Sequence, residues 1–308
     1  MSRSIHASGG VSALSRRLRW VLLVLLSVPL VGLLGLYVVS ELRLRTYESP
    51  TAFEAPIPTD SVSLAWGRHL VRTRGCFGCH GQSLEGQVFD EEWPWVKRAV
   101  APNLALHARA YDDQTLADAI RWGVGHDGRA LWSMPSYNFR HLADEDLAAV
   151  IGFLRSAEAV EQALPTPSLG WSARWRMVTG DERHMADWAA AVPPMVLGEG
   201  DADHLVRGEE LAMTTCNECH GLDLRGSWQE SGVAQPDLAI VAAYSRDAFD
   251  ALMRTGTPLD GRDLGLMGVV ARDRFAHFTA EEVSDLHSFL QSLPSRPIPE
   301  DVFWRPQR

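Results

Sequence analysis

Cysteine is scarce in this chain. Four occur in 308 residues, all inside two pentapeptides, Cys76-Phe77-Gly78-Cys79-His80 and Cys216-Asn217-Glu218-Cys219-His220. None is left for a disulfide, so cysteine usage gives no disulfide scaffold. Strand patterning is also sparse, which disfavours a thioredoxin-like thiol pair, since that motif needs a βαβ context. The two cysteine pairs lie 140 residues apart, far beyond the roughly 15–20 residues between the pairs of a four-cysteine zinc site. Basic charge is concentrated at the start. Residues 1–45 hold six Arg and one Glu, so a net charge of −10 for the whole leaves −15 on residues 46–308. So acidic a body does not suggest nucleic acid as a partner. It suits ordinary solubility or a basic docking partner.

What the chain does have is C-x-x-C-H, twice. In this motif two thiols form thioethers with the vinyl groups of a haem, and the adjacent imidazole ligates the iron. Two intervening residues complete one helical turn, so both sulfurs reach the same porphyrin edge. Gly81 and Gly221 follow, where the chain must leave that edge closely. Two covalently bound haem c groups are expected, on Cys76, Cys79 and His80 and on Cys216, Cys219 and His220.

Trp20 to Val39 is a 20-residue run without a charge, about 30 Å as a helix, the hydrocarbon thickness of a bilayer. Arg16, Arg17 and Arg19 precede it, which keeps its N-terminus in the cytoplasm. The run exceeds a signal-peptide core of about 7–15 residues, and Val38-Val39-Ser40-Glu41 is a poor cleavage site. An uncleaved single-pass anchor in the inner (plasma) membrane is expected, with the haem domains on the periplasmic side. The boundaries read as a cytoplasmic tail 1–19, an anchor 20–40, a tether 41–56, a first domain 57–160, a connector 161–198, a second domain 199–295 and a tail 296–308.

The two halves repeat each other. Pro102-Asn103-Leu104 answers Pro236-Asp237-Leu238. From Tyr111/Tyr244 through Arg121/Arg254, Gly123/Gly256 and Asp127-Gly128-Arg129/Asp260-Gly261-Arg262 to Met134/Met267 the offset is a constant 133. Six extra residues in the first copy fall near Phe89 to Arg98 and include Trp93-Pro94-Trp95. A helix, capped by Asp60 or Ser61, leads into Cys76; its counterpart carries Leu205, Gly208, Leu211 and Ala212 into Cys216. Gly67 and Gly208 permit close helix crossing. Each copy ends in an amphipathic helix, from Asp144 and from the capping box Thr279-Ala-Glu-Glu282. Phe153 and Phe289 are placed to pack on the first helix of their own copy. In the connector, Trp171, Trp175 and Trp188 read as apolar anchors.

A haem iron with one histidine needs a sixth ligand or an open site. Met213 is too close to Cys216 to cross to the other face, and Met253 reads as core. Met177, Met185 and Met195 lie in the connector without repeat partners. Met134 and Met267 are equivalent and are expected in loops between the middle and last helices. They are the expected sixth ligands, beside His80 and His220. Met267 is followed by Gly268 where Met134 has Pro135, and His277 lies ten residues on as a possible substitute.

The two copies resemble class I c-type cytochrome domains, with an N-terminal helix, C-x-x-C-H-G, Pro-x-Leu, a middle helix, a methionine loop and a C-terminal helix. Ala101-Pro-Asn-Leu104, Gly128-Arg-Ala-Leu-Trp-Ser-Met-Pro135 and Leu142-Ala-Asp-Glu-Asp-Leu147 carry the resemblance most specifically. It implies an all-α fold of two tandem class I cytochrome c domains behind one N-terminal transmembrane helix. It also implies that the Pro102 and Pro236 carbonyls accept from the histidine ligands, and that Arg129 and Arg262 lie near the haem propionates. The whole chain is similar to membrane-anchored cytochrome c subunits of periplasmic alcohol and gluconate-type dehydrogenases, which commonly carry three haems where this chain has two motifs. The expected role is single-electron transfer from a dehydrogenase to a terminal oxidase or soluble cytochrome, with no catalytic acid, base or nucleophile. The alternative is a di-haem peroxidase with one open haem; a haem sensor lacks any output domain.

Overall fold

A computed structural model describes residues 10–45, 47, 51–89, 96–228 and 234–296. The insertion around Trp93-Pro94-Trp95 and the tail beyond Arg296 lie outside them. The fold is mostly helical.

Helix α1 (Gly10–Arg43) contains one stretch, Leu18–Arg43, long and apolar enough to cross a membrane. Its side chains are exposed from Leu18 to Val39 except for half-buried Leu36, and Ser40 is fully buried. The first domain opens with α2 (Ser61–Thr73). Asp60 caps it by accepting from the Val62 and Ser63 amides at 3.1 and 2.9 Å. The short helix α3 (Cys76–His80) follows at once. A small antiparallel ribbon joins β1 (Gln87–Val88) to β3 (Val100–Ala101), while β2 (Lys97–Arg98) pairs with β4 (Ser168–Leu169) of the connector. Helices α4 (Leu104–Ala110) and α5 (Asp113–Ala117) come next; α5 widens into a π-turn to Trp122, and α6 (Asp144–Ser156) closes the domain.

The second domain repeats this plan with α9 (Asp203–Thr215), α10 (Asn217–His220), the ribbon β5 (Ser227–Trp228)–β6 (Ala234–Gln235), α11 (Arg246–Thr255), α12 (Leu266–Asp273) and α13 (Ala280–Ser292). Between the domains lie α7 (Trp171–Thr179) and α8 (Met185–Ala190).

Each domain is held by a crossing of its first and last helices, and glycine makes both crossings possible. A Cβ on Gly67 would lie 2.0 Å from the Ala149 carbonyl oxygen and 2.9 Å from Phe153 Cβ. One on Gly208 would lie 2.2 Å from the Asp285 oxygen and 2.7 Å from Phe289 Cβ. The cores spread from these crossings. Leu70, Val71, Leu147 and Ile151 fill the first, and Leu211, Phe249, Val283, Leu286 and Leu290 the second. Each such side chain contributes about 1.5–3 kcal/mol on burial. Met253 belongs to the second core, as its helical position implied.

The described residues of the expected tether, 41–45, 47 and 51–56, make contacts with the rest of the chain at several points. Glu41–Arg43 complete α1, and Leu44 is buried with Val124, Ala130, Met177 and Ala186. The Ala130 amide donates to the Leu44 carbonyl at 2.7 Å, and the Tyr47 hydroxyl to the Gly128 carbonyl at 2.7 Å. Further on, the Phe53 amide donates to Gln114 Oε1 at 2.7 Å. Once Leu44 is taken out of water, the turns around it must find backbone partners, and domain 1 supplies them.

Candidate haem sites

Each attachment motif sits on a turn that only a few residue types allow. Gly81 and Gly221 are left-handed at φ 83° and 89°, and Leu84 and Leu224 share that region at φ 62° and 61°. The Leu104 and Leu238 amides donate to the Leu84 and Leu224 carbonyls, both at 2.9 Å. Two leucines in a conformation that disfavours side chains, at matching positions, mean that the loop below each motif is imposed by its surroundings.

That loop fixes the histidines. His80 Nδ1 donates to the Pro102 carbonyl at 2.8 Å, and His220 Nδ1 to the Pro236 carbonyl at 2.9 Å. A carbonyl can only accept, so the proton is on Nδ1 and the lone pair on Nε2, the arrangement of an oriented metal-binding imidazole. Burial lowers both histidines' affinity for a second proton, more than the carbonyls restore it, and takes the His80 pKa to about 4. Both rings are neutral near pH 7. Burial also raises all four thiols, with Cys76 and Cys219 at about 11. They are poor thiolates, unlike the activated pair of a redox motif.

On the far side of His80 a cavity of about 170 Å³ is lined by Pro102, Leu104, Leu116, Ile120, Leu154 and Met134. A second, of about 620 Å³, meets it at Cys79, His80, Met134 and Pro135. Cysteines, an imidazole whose Nδ1 is engaged by a carbonyl, a thioether and apolar side chains lining one connected space fit a c-type haem. Met134 and His80 are thus brought to one space.

Met267 is placed differently. The expected loop is instead the first turn of α12, and its side chain packs on the core that Cys216 also borders. Gly265, at φ 56° and ψ −122°, starts this helix, and Gly268 is packed against Gly256. Small residues at both places let a helix form where Pro135 in the first copy leads into a 3-10 turn, Ser136–Phe139. His277, the alternative ligand to Met267, lies with His69 and Arg72 at the boundary with domain 1. Arg129 is ion-paired to Glu41 at 2.9 Å and Arg262 to Asp260 at 3.6 Å. Their partners are carboxylates of the chain, so the propionate role implied by resemblance is without support here.

The larger cavity is the cleft between the domains, and sequence reasoning did not find it. Cys76, Cys79 and Met134 line one wall; Glu218, Val270 and Arg274 line the other. Asn138 Nδ2 donates to Glu218 Oε2 at 2.9 Å, joining the first domain to the middle of the second motif. The Arg274 guanidinium lies over Gly75, where a Cβ would be 2.5 Å from its Cζ, and Nε donates to the Thr73 carbonyl at 3.4 Å. His69 Nε2 meets the Glu282 carboxylate at 2.9 Å. Gly75 is left-handed at φ 83°, immediately before Cys76.

Two comparisons bear on the chain. A family model described as cytochrome c matches residues 64–158 and again residues 205–294. No curated protein matches it significantly.

Proposed function

The chain belongs to the cytochrome c family, with two domains and two covalently attached haem c groups, and from that premise we propose that it is a membrane-anchored carrier of single electrons, taking them from a dehydrogenase and passing them to a terminal oxidase or soluble cytochrome on the periplasmic side. The observation that carries this reading is the shared cleft. Cys76 and Cys79 line it, Glu218 of the second motif faces them, and Arg274 bridges the walls. The first attachment motif thus approaches the middle of the second across this cleft, an arrangement that suits passage of an electron between the domains.

When bound, haem supplies a one-electron iron couple whose potential is set by its axial ligands and surroundings. The chain's residues do the rest. Cys76, Cys79, Cys216 and Cys219 hold the groups covalently. His80 and His220, oriented by the Pro102 and Pro236 carbonyls, would ligate the two irons through Nε2. Met134 and Met267 would complete the iron coordination, Met267 only by leaving the core contact that it makes here; a thioether ligand favours the reduced iron. Arg274 supplies a positive charge beside both pairs of thiols, which also favours the reduced state. Leu116, Ile120 and Leu154 exclude water from the first site.

Retention of α1 is supported by its C-terminal end. Ser40 and Leu44 are essentially fully buried in contacts with the connector and domain 1, so removing the helix at Ser40 would open a packed polar network. Spectroelectrochemical titration of the purified full chain tests the proposal. Two one-electron couples are expected. Met134→Ala should lower one of them on the order of 0.2 V, a fraction of the span that axial ligation covers. A chain with one couple, or with both unchanged by Met134→Ala, would refute the count or the ligand.

A further inference from the structure

The connector tryptophans do not behave alike. Trp188 is half-buried, its ring 5.8 Å from that of Tyr137. Trp171 and Trp175 are 52% and 59% exposed. Both lie on α7, four residues apart, so they share one face. The opposite face carries Ala173, Arg174 and Met177, all buried. An amphipathic helix with tryptophan on its open side calls for a partner that takes up indole rings.

The neighbour of α7 says what that partner is. Arg174 Nη1 reaches Ser40 Oγ at 2.7 Å and Glu41 Oε1 at 2.9 Å, and its guanidinium lies 4.4 Å from the centre of the Tyr37 ring. Arg43 Nη1 donates to the Met177 carbonyl at 2.6 Å. These contacts hold α7 against the last two turns of α1. At that level α1 exposes Tyr37, Val38, Val39 and Leu42. α7 is therefore packed, through its buried face, at the end of α1 whose surface is apolar and exposed, and it turns Trp171 and Trp175 outward at that level. Tryptophan and tyrosine concentrate where a membrane meets water, with the ring among the headgroups and the N–H or O–H hydrated.

We infer that α7 is an interfacial helix whose Trp171 and Trp175 insert into the lipid headgroup layer beside α1. This rests on α1 spanning the bilayer. Its consequence is a fixed attitude of domain 1 against the membrane, because the same end of α1 is bound to the Asp127–Ala130 loop through Arg129–Glu41 and Ala130–Leu44. The first domain then rides on the surface rather than at the end of a leash.

Photocrosslinking of the full holoprotein in phosphatidylcholine–phosphatidylglycerol liposomes tests this. p-Benzoylphenylalanine is placed singly at the positions of Trp171 and Trp175, of Leu30 in α1, and of Leu259, an exposed residue of domain 2. Lipid adducts are read by mass spectrometry of the labelled peptides. Yields at 171 and 175 should exceed that at 259 at least about fivefold, as expected for interface residues. Adducts at 30 but none above background at 171 and 175 would overturn the inference and leave the anchor intact. Adducts at 171 and 175 to a second protein chain instead of lipid would overturn it too. Absence of adducts at 30 would remove the anchor, and the inference with it.

Discussion

The Asp-Gly-Arg loops of the two domains are identical in sequence and opposite in circumstance. In domain 1, Gly128 accepts from the Tyr47 hydroxyl, Arg129 pairs with Glu41, and the Ala130 amide bonds to Leu44. In domain 2, among the described residues, Asp260 and Arg262 pair only with each other, with side chains 63% and 69% exposed. Downstream, Met134 lies in a loop and lines the same cavity as His80, whereas Met267 lies on a helix. The difference teaches that the repeat specifies the haem-binding turn and the helix crossing, while the segment around the methionine takes its shape from its neighbours. Domain 1 has the end of α1 and the connector as neighbours; at this loop domain 2 has solvent.

The comparison predicts where the domains should respond alike. Gly67→Ala and Gly208→Ala should each cost about 3 kcal/mol or more, since a backbone carbonyl occupies the place of the new methyl and cannot retreat without parting the helices. Denaturant unfolding of the two holoprotein variants checks this. A silent variant in either domain would mean that its crossing is looser than its twin's.

Where the domains differ, the next effect is smaller and one-sided. Arg129→Ala should destabilise by about 1–2 kcal/mol, because it strips a partly buried Glu41 of a charged partner. Arg262→Ala should stay within about 0.5 kcal/mol, as surface changes do. Equal thermal shifts would break the contrast drawn between the loops.

Much of this was legible in sequence, and for identifiable reasons. The motifs announce their chemistry by spacing. The Asp60 cap, the Thr279–Glu282 capping box and the Gly67 and Gly208 crossings follow from local rules, and all are present. The fold class was legible because the constant offset of 133 allowed two weak patterns to support each other. What escaped was tertiary. Nothing local distinguishes exposed Trp171 and Trp175 from packed Trp188. Periodicity cannot tell that Gly265 and Gly268 admit a helix around Met267. Arg274, beside Gly75 and 201 residues from Thr73, belongs to no motif, so the domain interface had no sequence signature.

That interface provides the mildest expected effect. Glu282 of domain 2 meets His69 and Arg74 of domain 1. Burial raises its carboxyl pKa, but hydrogen bonds from His69 and the Thr279 amide and the charges of His69 and Arg74 outweigh this and hold it below the ordinary 4.5. A depressed folded value means stability that is present above pH 4.5 and lost as pH falls through the folded value. Glu282→Gln should lose about 1 kcal/mol at pH 7 and should show a shallower decline in melting temperature below pH 4.5 than the wild type. Parallel curves would remove Glu282 from the interface's pH response.

A carrier needs both domains to be closed electron-transfer sites despite the different settings of their methionines, and carbon monoxide reads this directly. Added to the fully reduced full-length protein, it should leave the spectrum unchanged in the wild type and should bind one haem per chain once Met267 is replaced by Ala. Rapid, stoichiometric binding at one haem of the wild type, with hydrogen peroxide turnover by the half-reduced form, would contradict it and make the second domain the open site of a peroxidase.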